Sequence, residues 1–269
     1  MVGRCITVTS GKGGVGKTTT TANLGMALAL AGKTACLIDA DIGLRNLDIV
    51  LGLENRIVYD LVDVVEGNCR LKQAFIRDKH HPNLCLIPAA QTRDKEAVSP
   101  EQMADLCHKL KQQFDFVIVD SPAGIEQGFR NAIAGADEVL VVTTPEVSAV
   151  RDADRIIGLV EAAELPPPRL ILNRLNPSLV QRGEMMTTDD VQDILAIDLV
   201  GIVPEDSTIV MASNRGEPAV LSNTSKAGRA YREIAQRLLG EQVPIVVPSG
   251  EGFFSRMLSI FRPHQRVAS

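Results

Sequence analysis

The sequence predicts an α/β fold: a doubly wound, mostly parallel sheet with helices on both faces. Three observations carry this. Short apolar runs alternate with helical patterns through almost all of the 269 residues, the signature of strand–helix–strand units. Hydrophobic residues make up 45% of the chain, yet aromatics are only 3% and tryptophan is absent. The core is therefore built from Val, Ile, Leu and Ala, which suit strands covered on both faces. Finally, the first apolar run leads through a glycine-rich loop directly into a helical pattern.

The elements follow in order. Cys5–Val8 is the first strand, and the loop after it opens a helix over Lys17–Ala31. Ala35–Ile38 and Leu84–Ile87 are further strands. Pro100–Gln113 reads as a helix before the strand Phe116–Val119. Val139–Val142 precedes a helix over Ser148–Glu164, with Ser148 as its N-cap. The run Pro166-Pro167-Pro168 is a loop before the strand Leu170–Leu172, and Leu199–Val203 is the last strand. No internal repeat is present. The one composition break lies at Pro244–Gly252, where Pro, Gly and Ser cluster. The organisation expected is a domain over 1–243, a flexible linker over 244–252 and a terminal helix over 253–262.

Composition excludes several classes. The five cysteines are odd in number, scattered, and never at C-x-x-C spacing. This argues against a zinc or iron–sulfur site and for small buried hydrophobes in a reducing compartment. With no leader pattern and no apolar run long enough to span a bilayer, the expected location is cytoplasmic. The net charge of −5 is uneven. Three of the 28 basic residues and none of the 33 acidic ones lie in 252–269, so residues 1–251 carry −8. A body this acidic is a poor nucleic-acid binder, and no specific nucleic acid is expected.

The loop Ser10-Gly11-Lys12-Gly13-Gly14-Val15-Gly16-Lys17-Thr18-Thr19 satisfies G-x-x-x-x-G-K-[ST]. Its glycines let backbone N–H groups close around phosphates, and the helix N-terminus adds positive potential. Lys17 is placed for the β and γ phosphates, Thr18 for Mg²⁺ and Thr19 for the α phosphate. Asp120 ends an apolar strand, where a carboxylate serving the metal belongs. A second acidic stretch, Asp39-Ala40-Asp41, follows the second strand. Asp41 is assigned to the attacking water and Asp39 to the metal's outer shell, while loop solvation or helix capping suits Asp48. Asn173 and Arg174 end one strand and Pro204-Glu205-Asp206 follow another. The Asn173 amide matches an adenine edge and the second turn a wall for the base, although capped turns would explain both equally.

These residues resemble the ParA/MinD family of P-loop ATPases, whose deviant Walker A loop carries an extra lysine, here Lys12. The runs Asp41–Asp48, Asp120–Gly124 and Pro145–Asp152 are similar to the septum-siting members of that family, and the likeness covers nearly the whole chain. The resemblance implies an ATP- and Mg²⁺-dependent ATPase that is monomeric with ADP and dimeric with ATP. Lys12 would then contact the partner copy's phosphates, acting in catalysis alongside Lys17 and Asp41. It also implies a MinC-like division inhibitor recruited to membranes and a MinE-like activator of hydrolysis. Both would meet a surface that includes Asn46, Arg151, Asp152 and Asp154. A DNA-partition ATPase, an iron–sulfur reductase and a flagellar-placement ATPase are the competing readings. The first lacks a basic body, the second lacks clustered cysteines, and the segments around Asn46 and Asp152 speak against the third.

The terminal segment carries its own argument. At about 100° per residue, Phe253, Phe254, Met257, Leu258, Ile260 and Phe261 share one helix face, and Ser255, Arg256, Ser259 and Arg262 the other. Such a helix commonly packs on its own domain, but the flexible lead-in, the terminal position and arginines beside bulky apolar groups point to a bilayer interface and anionic lipid. One weak anchor binds marginally, whereas two on a dimer add avidity. Membrane residence would then report the nucleotide state, with the protein peripheral on the inner face of the membrane when ATP is bound.

Overall fold

The computed structural model describes residues 2–94 and 97–248. In chain order it contains β1 (Arg4–Thr9), α1 (Lys17–Leu30), β2 (Ala35–Asp39), α2 (Leu47–Val50), α3 (Leu61–Val65), β3 (Ile76–Arg77), β4 (Leu84–Ile87), α4 (Pro100–Lys111) and β5 (Phe116–Asp120). There follow α5 (Gln127–Ile133), β6 (Glu138–Thr143), α6 (Val147–Ala162), β7 (Arg169–Leu175), α7 (Pro177–Gln181), α8 (Thr188–Leu195), β8 (Leu199–Pro204), α9 (Thr208–Ser213) and α10 (Lys226–Leu238). The eight strands form one sheet in the order β3-β4-β2-β5-β1-β6-β7-β8. All neighbours are parallel except β3 and β4. The predicted architecture is present. The two-residue strand β3 is an addition, too short to show any period.

Alternate residues of each strand enter opposite cores, as a sheet covered on both faces requires. In β1, Ile6 and Val8 join a core with α1 and α10, while Cys5 faces the α4 side. In β2, Leu37 and Ile38 divide in the same way. Four of the cysteines are fully buried and Cys69 is half-buried, all unpaired by disulfides, as the sequence implies. Helix α4 shows how locally the elements are set. Ser99 accepts from the Gln102 N–H, the Gln102 side chain returns to the Ser99 N–H, and Pro100 occupies the first turn.

One expectation needs correction. Helix α6 is capped at Glu146, not Ser148, which lies within the first turn. Its hydroxyl is occupied elsewhere, as shown below. Contacts with the body also continue past 243. The Arg237 guanidinium donates to the carbonyls of Val243, Pro244 and, on edge strand β8, Val200, at 2.7–3.0 Å. Ile245 packs on the core between α6, α8 and the sheet. Residues 243–245 are thus strapped to the body, a tertiary arrangement that Pro and Gly content does not reveal. The predicted anchor over 253–262, with Phe253, Phe254, Arg256, Met257, Leu258, Ile260, Phe261 and Arg262, lies outside the described residues. Among the described residues, no helix is long and apolar enough to cross a membrane.

Candidate nucleotide-binding site

The site forms where β1, β2 and β5 end side by side, beyond their carboxyl ends and next to the point where the strand order reverses. Register alone brings the acids together, since Asp39 pairs across from Asp120 and Asp120 lies opposite Val8, just before the loop. The loop from Gly11 to Gly16 runs between them and enters α1 at Lys17. Two glycines are required. A Cβ on Gly11 would stand 2.1 Å from the Asp152 carbonyl oxygen, so the loop lies directly against α6. Gly16 has φ +101°, and a Cβ there would meet the Asn173 amide nitrogen at 2.3 Å.

The floor is a buried charge cluster. Lys17 is 8% exposed, and Asp39 and Asp120 are 1% exposed. Burial lowers the Lys17 pKa, against the support of Asp120 and Asp41. Burial pushes Asp120 up to about 6, although Thr18, Lys17 and Thr21 hold it down. Burial and then the neighbouring Asp120 push Asp39 up to about 7. Two desolvated carboxylates beside one desolvated ammonium favour an arriving divalent cation with phosphate oxygens. Above them, nothing lies within 4 Å of where a Gly14 Cβ would stand. The residues fit a phosphate chain carrying its metal.

Thr21 was not singled out from sequence, yet its hydroxyl donates to Asp120 at 3.2 Å. Its place three residues after Thr18 on one helix was the available signal. Asp39 has a further role. Its carboxylate accepts from the backbone N–H groups of Asp41, Asn46 and Leu47 at 3.0–3.2 Å, so it organises the loop bearing the half-buried Asp41. The reading of Asp48 as solvated is wrong. It is fully buried and faces Arg45 at 3.0 Å.

Lys12 is set apart from this cluster. Its ammonium donates to Ser148 at 3.0 Å and lies 3.7 Å from Glu146, with the side chain 43% exposed. Within the single chain it rests on the first turn of α6. That helix also carries Arg151, Asp152 and Asp154, which are exposed or half-buried, as is Asn46. The Asp152 backbone supports Gly11 and its carboxylate is 3.8 Å from Arg155.

A cleft of about 640 Å³ extends from Gly16 and Thr19 along Asn173, Arg174, Pro204, Glu205 and Asp206. All five residues suggested for the base line it, but several side chains are engaged in support. The Asn173 amide donates to the Val15 carbonyl at 2.7 Å and accepts from the Arg174 N–H. Glu205 accepts from Asn176. The Asp206 carboxylate accepts from Thr208 N–H, Ser225 hydroxyl and Ala227 N–H at 2.9–3.0 Å, fastening the start of α10. Burial alone would raise Asp206, but these donors outweigh it and hold the carboxyl at about 2.

A carboxylate held below its unfolded value stabilises the fold above about pH 4, and loses that contribution as pH falls through its folded value. Allowing for solvent screening of this half-exposed group, Asp206→Ala is expected to cost roughly 1–2 kcal/mol at pH 7. The gap in urea midpoint between the two proteins should narrow towards pH 3. A gap independent of pH would show that the carboxylate charge is not what matters.

The comparisons with known proteins agree with this geometry. The family model described as the CobQ/CobB/MinD/ParA nucleotide binding domain matches residues 6–219. The chain is 56% identical to the septum site-determining protein MinD of Bacillus subtilis, over 97% of this chain and 98% of that one. Its structure resembles MinD in the MinC:MinD cell division protein complex of Aquifex aeolicus, with TM-score 0.85 and 46% identity, covering 92% of this chain and 100% of that one. It also resembles MinD complexed with Mg-ADP from Pyrococcus horikoshii, with TM-score 0.79 and 30% identity, covering 87% and 95%. On this family match and these identities over nearly its whole length, the chain belongs to the CobQ/CobB/MinD/ParA nucleotide-binding family, among its MinD cell-division ATPases.

Proposed function

We propose that this ATPase works as a nucleotide-gated switch. It dimerises with ATP, holds the membrane through its terminal helices, brings a MinC-like division inhibitor there, and is released when a MinE-like partner stimulates hydrolysis. The observation that carries the reading is the position of the two lysines of one loop. Lys17 is buried beside Asp120, whereas Lys12 lies outside that cluster on the exposed start of α6. A fixed cation beside, but not in, its own site is suited to a site completed by a second copy. The relative crystallised with MinC supports the inhibitor, and the relative holding Mg-ADP supports the cofactor.

In this reading Thr18 and Asp120 hold Mg²⁺, with Asp39 behind them, and the glycines and Lys17 hold the phosphates. The metal supplies charge neutralisation to the phosphoryl oxygens when bound. Asp41 orients the attacking water at the mouth of the loop that Asp39 ties down. Lys12 of each copy adds positive charge to the other's site, as an arginine finger does. Arg151, Asp152 and Asp154 on α6, together with Asn46 at the start of α2, form the partner surface.

The test is sedimentation with vesicles of phosphatidylglycerol and phosphatidylcholine. The full chain should pellet with a slowly hydrolysed ATP analogue and remain mostly free with ADP. A Phe253→Ser/Phe254→Ser chain should remain free with both. Equal pelleting with ADP and the analogue would remove the gating.

A further inference from the structure

Between α7 and α8 lies a second cavity, of about 250 Å³, lined mainly by Leu175, Pro177, Val180, Thr188, Val247 and Pro248. Val247 and Pro248 are the last described residues, just past the strap that Arg237 and Ile245 hold on the body. The described chain therefore ends at the cavity's edge, and 21 residues follow. Phe253 and Phe254 come five and six positions after Pro248, within spans of about 17 and about 20 Å for an extended chain.

The walls also describe the occupant. Leu175, Pro177 and Val180 offer apolar surface. Thr188, 5% exposed, has a hydroxyl with no hydrogen-bond partner among the described residues. The N-terminus of α8 does not need that hydroxyl, because Thr187 and Asp190 already cap it reciprocally. Buried hydroxyls seldom go unpaired. A peptide entering the cavity would bring a backbone N–H or carbonyl for Thr188 together with a side chain for the apolar walls. A segment tethered at the cavity's edge also has a concentration advantage over any free peptide.

We propose that, away from a membrane, the chain after Pro248 folds back and seats Phe253 or Phe254 in this cavity, so that body and bilayer compete for the same apolar side chains. This rests on the reading of 253–262 as a membrane anchor. Leu175 and Pro177 also line the base cleft, so the turn they form is shared by nucleotide and tail. Through that turn, nucleotide occupancy bears on release of the anchor, in addition to the avidity that a dimer provides.

Two measurements on the full-length chain test this. The first is hydrogen exchange over 177–192 without nucleotide or lipid. Exchange should be slower in the native chain than in Phe253→Ser/Phe254→Ser, and phosphatidylglycerol vesicles should abolish the difference. Equal exchange in the two lipid-free chains overturns the proposal. The second is Val180→Asp, which makes the cavity polar at a half-buried position. It should raise vesicle pelleting of the nucleotide-free chain about fivefold, as expected if roughly four-fifths of the tails are docked. If the native chain pellets with the ATP analogue while Val180→Asp leaves nucleotide-free pelleting unchanged, the cavity is not the tail's site and the anchor reading survives. If no chain pellets under any condition, the anchor reading falls and the exchange experiment still decides the cavity.

Discussion

Replacing Lys12 by alanine is expected to leave ATP affinity within about threefold of the native value while reducing partner-stimulated turnover by roughly 100- to 1,000-fold, the size of losing one preorganised charge donor and at or below the low end for a cation supplied in trans to a phosphoryl transition state. The separation follows from where the side chain is. Lys12 is 43% exposed, and its ammonium is held by Ser148 and Glu146 rather than by any residue of the buried cluster. Removing it takes nothing from the floor on which a nucleotide would rest. The contact it would give up on joining a second copy in the proposed dimer is an exposed ion pair with one hydroxyl contact, worth no more than about 1 kcal/mol. That is small against the 3–4 kcal/mol that a 100- to 1,000-fold rate effect represents, so the α6 contact can hold the lysine without trapping it. Glu146→Gln supplies the control: by weakening the rest position it should favour the dimer by no more than about fivefold. Single-turnover hydrolysis and sedimentation equilibrium read the two effects separately. Native turnover by Lys12→Ala would assign the residue to a solvated loop.

The contrast between those two lysines also shows what a sequence can reveal. The loop was legible because its chemistry fixes residue types at fixed spacings, and Asp120 because a lone acid at the end of an apolar strand has few other reasons to be there. The parallel sheet was legible from its alternating runs. What stayed hidden was made by neighbours distant in sequence. Asp39 was assigned to the metal on its position alone, but three backbone N–H groups from 41–47 converge on it once the loop folds over the strand end. Ser148 looked like a cap because the residue type suits one, yet the helix begins a residue earlier and the hydroxyl meets Lys12 across 136 positions. The strap over 243–245 depends on Arg237 bridging it to an edge strand, and nothing in a Pro- and Gly-containing stretch announces that. Asp48 was misread for a related reason, since its burial with Arg45 comes from the turn into α2 and not from any local pattern.

Lys17→Ala should fail in the opposite manner, with ATP affinity falling at least about 100-fold in a fluorescent-nucleotide titration. Here burial decides. Lys17 is 8% exposed, and the charges of Asp120 and Asp41 support its ammonium against the burial that lowers its pKa. A phosphate chain arriving beside it gains a desolvated, already oriented cation. Charge-assisted hydrogen bonds of this kind are worth about 1.5–3 kcal/mol each, and two of them amount to a factor of about 100 or more in affinity. The same substitution leaves Asp120 without the ammonium that offsets its burial, and its pKa would rise further. Because that carboxyl already stands near 6, it can take up a proton instead of forcing the fold apart. The nucleotide-free protein should therefore lose less stability than the 3–5 kcal/mol typical of a broken buried pair. Arginine is not expected to rescue binding, because the larger guanidinium must enter a pocket closed around the ammonium. If Lys17→Ala bound ATP within tenfold of the native protein, the buried cluster would not be the phosphate site, and the assignments of Thr18, Asp39 and Asp120 would fall with it.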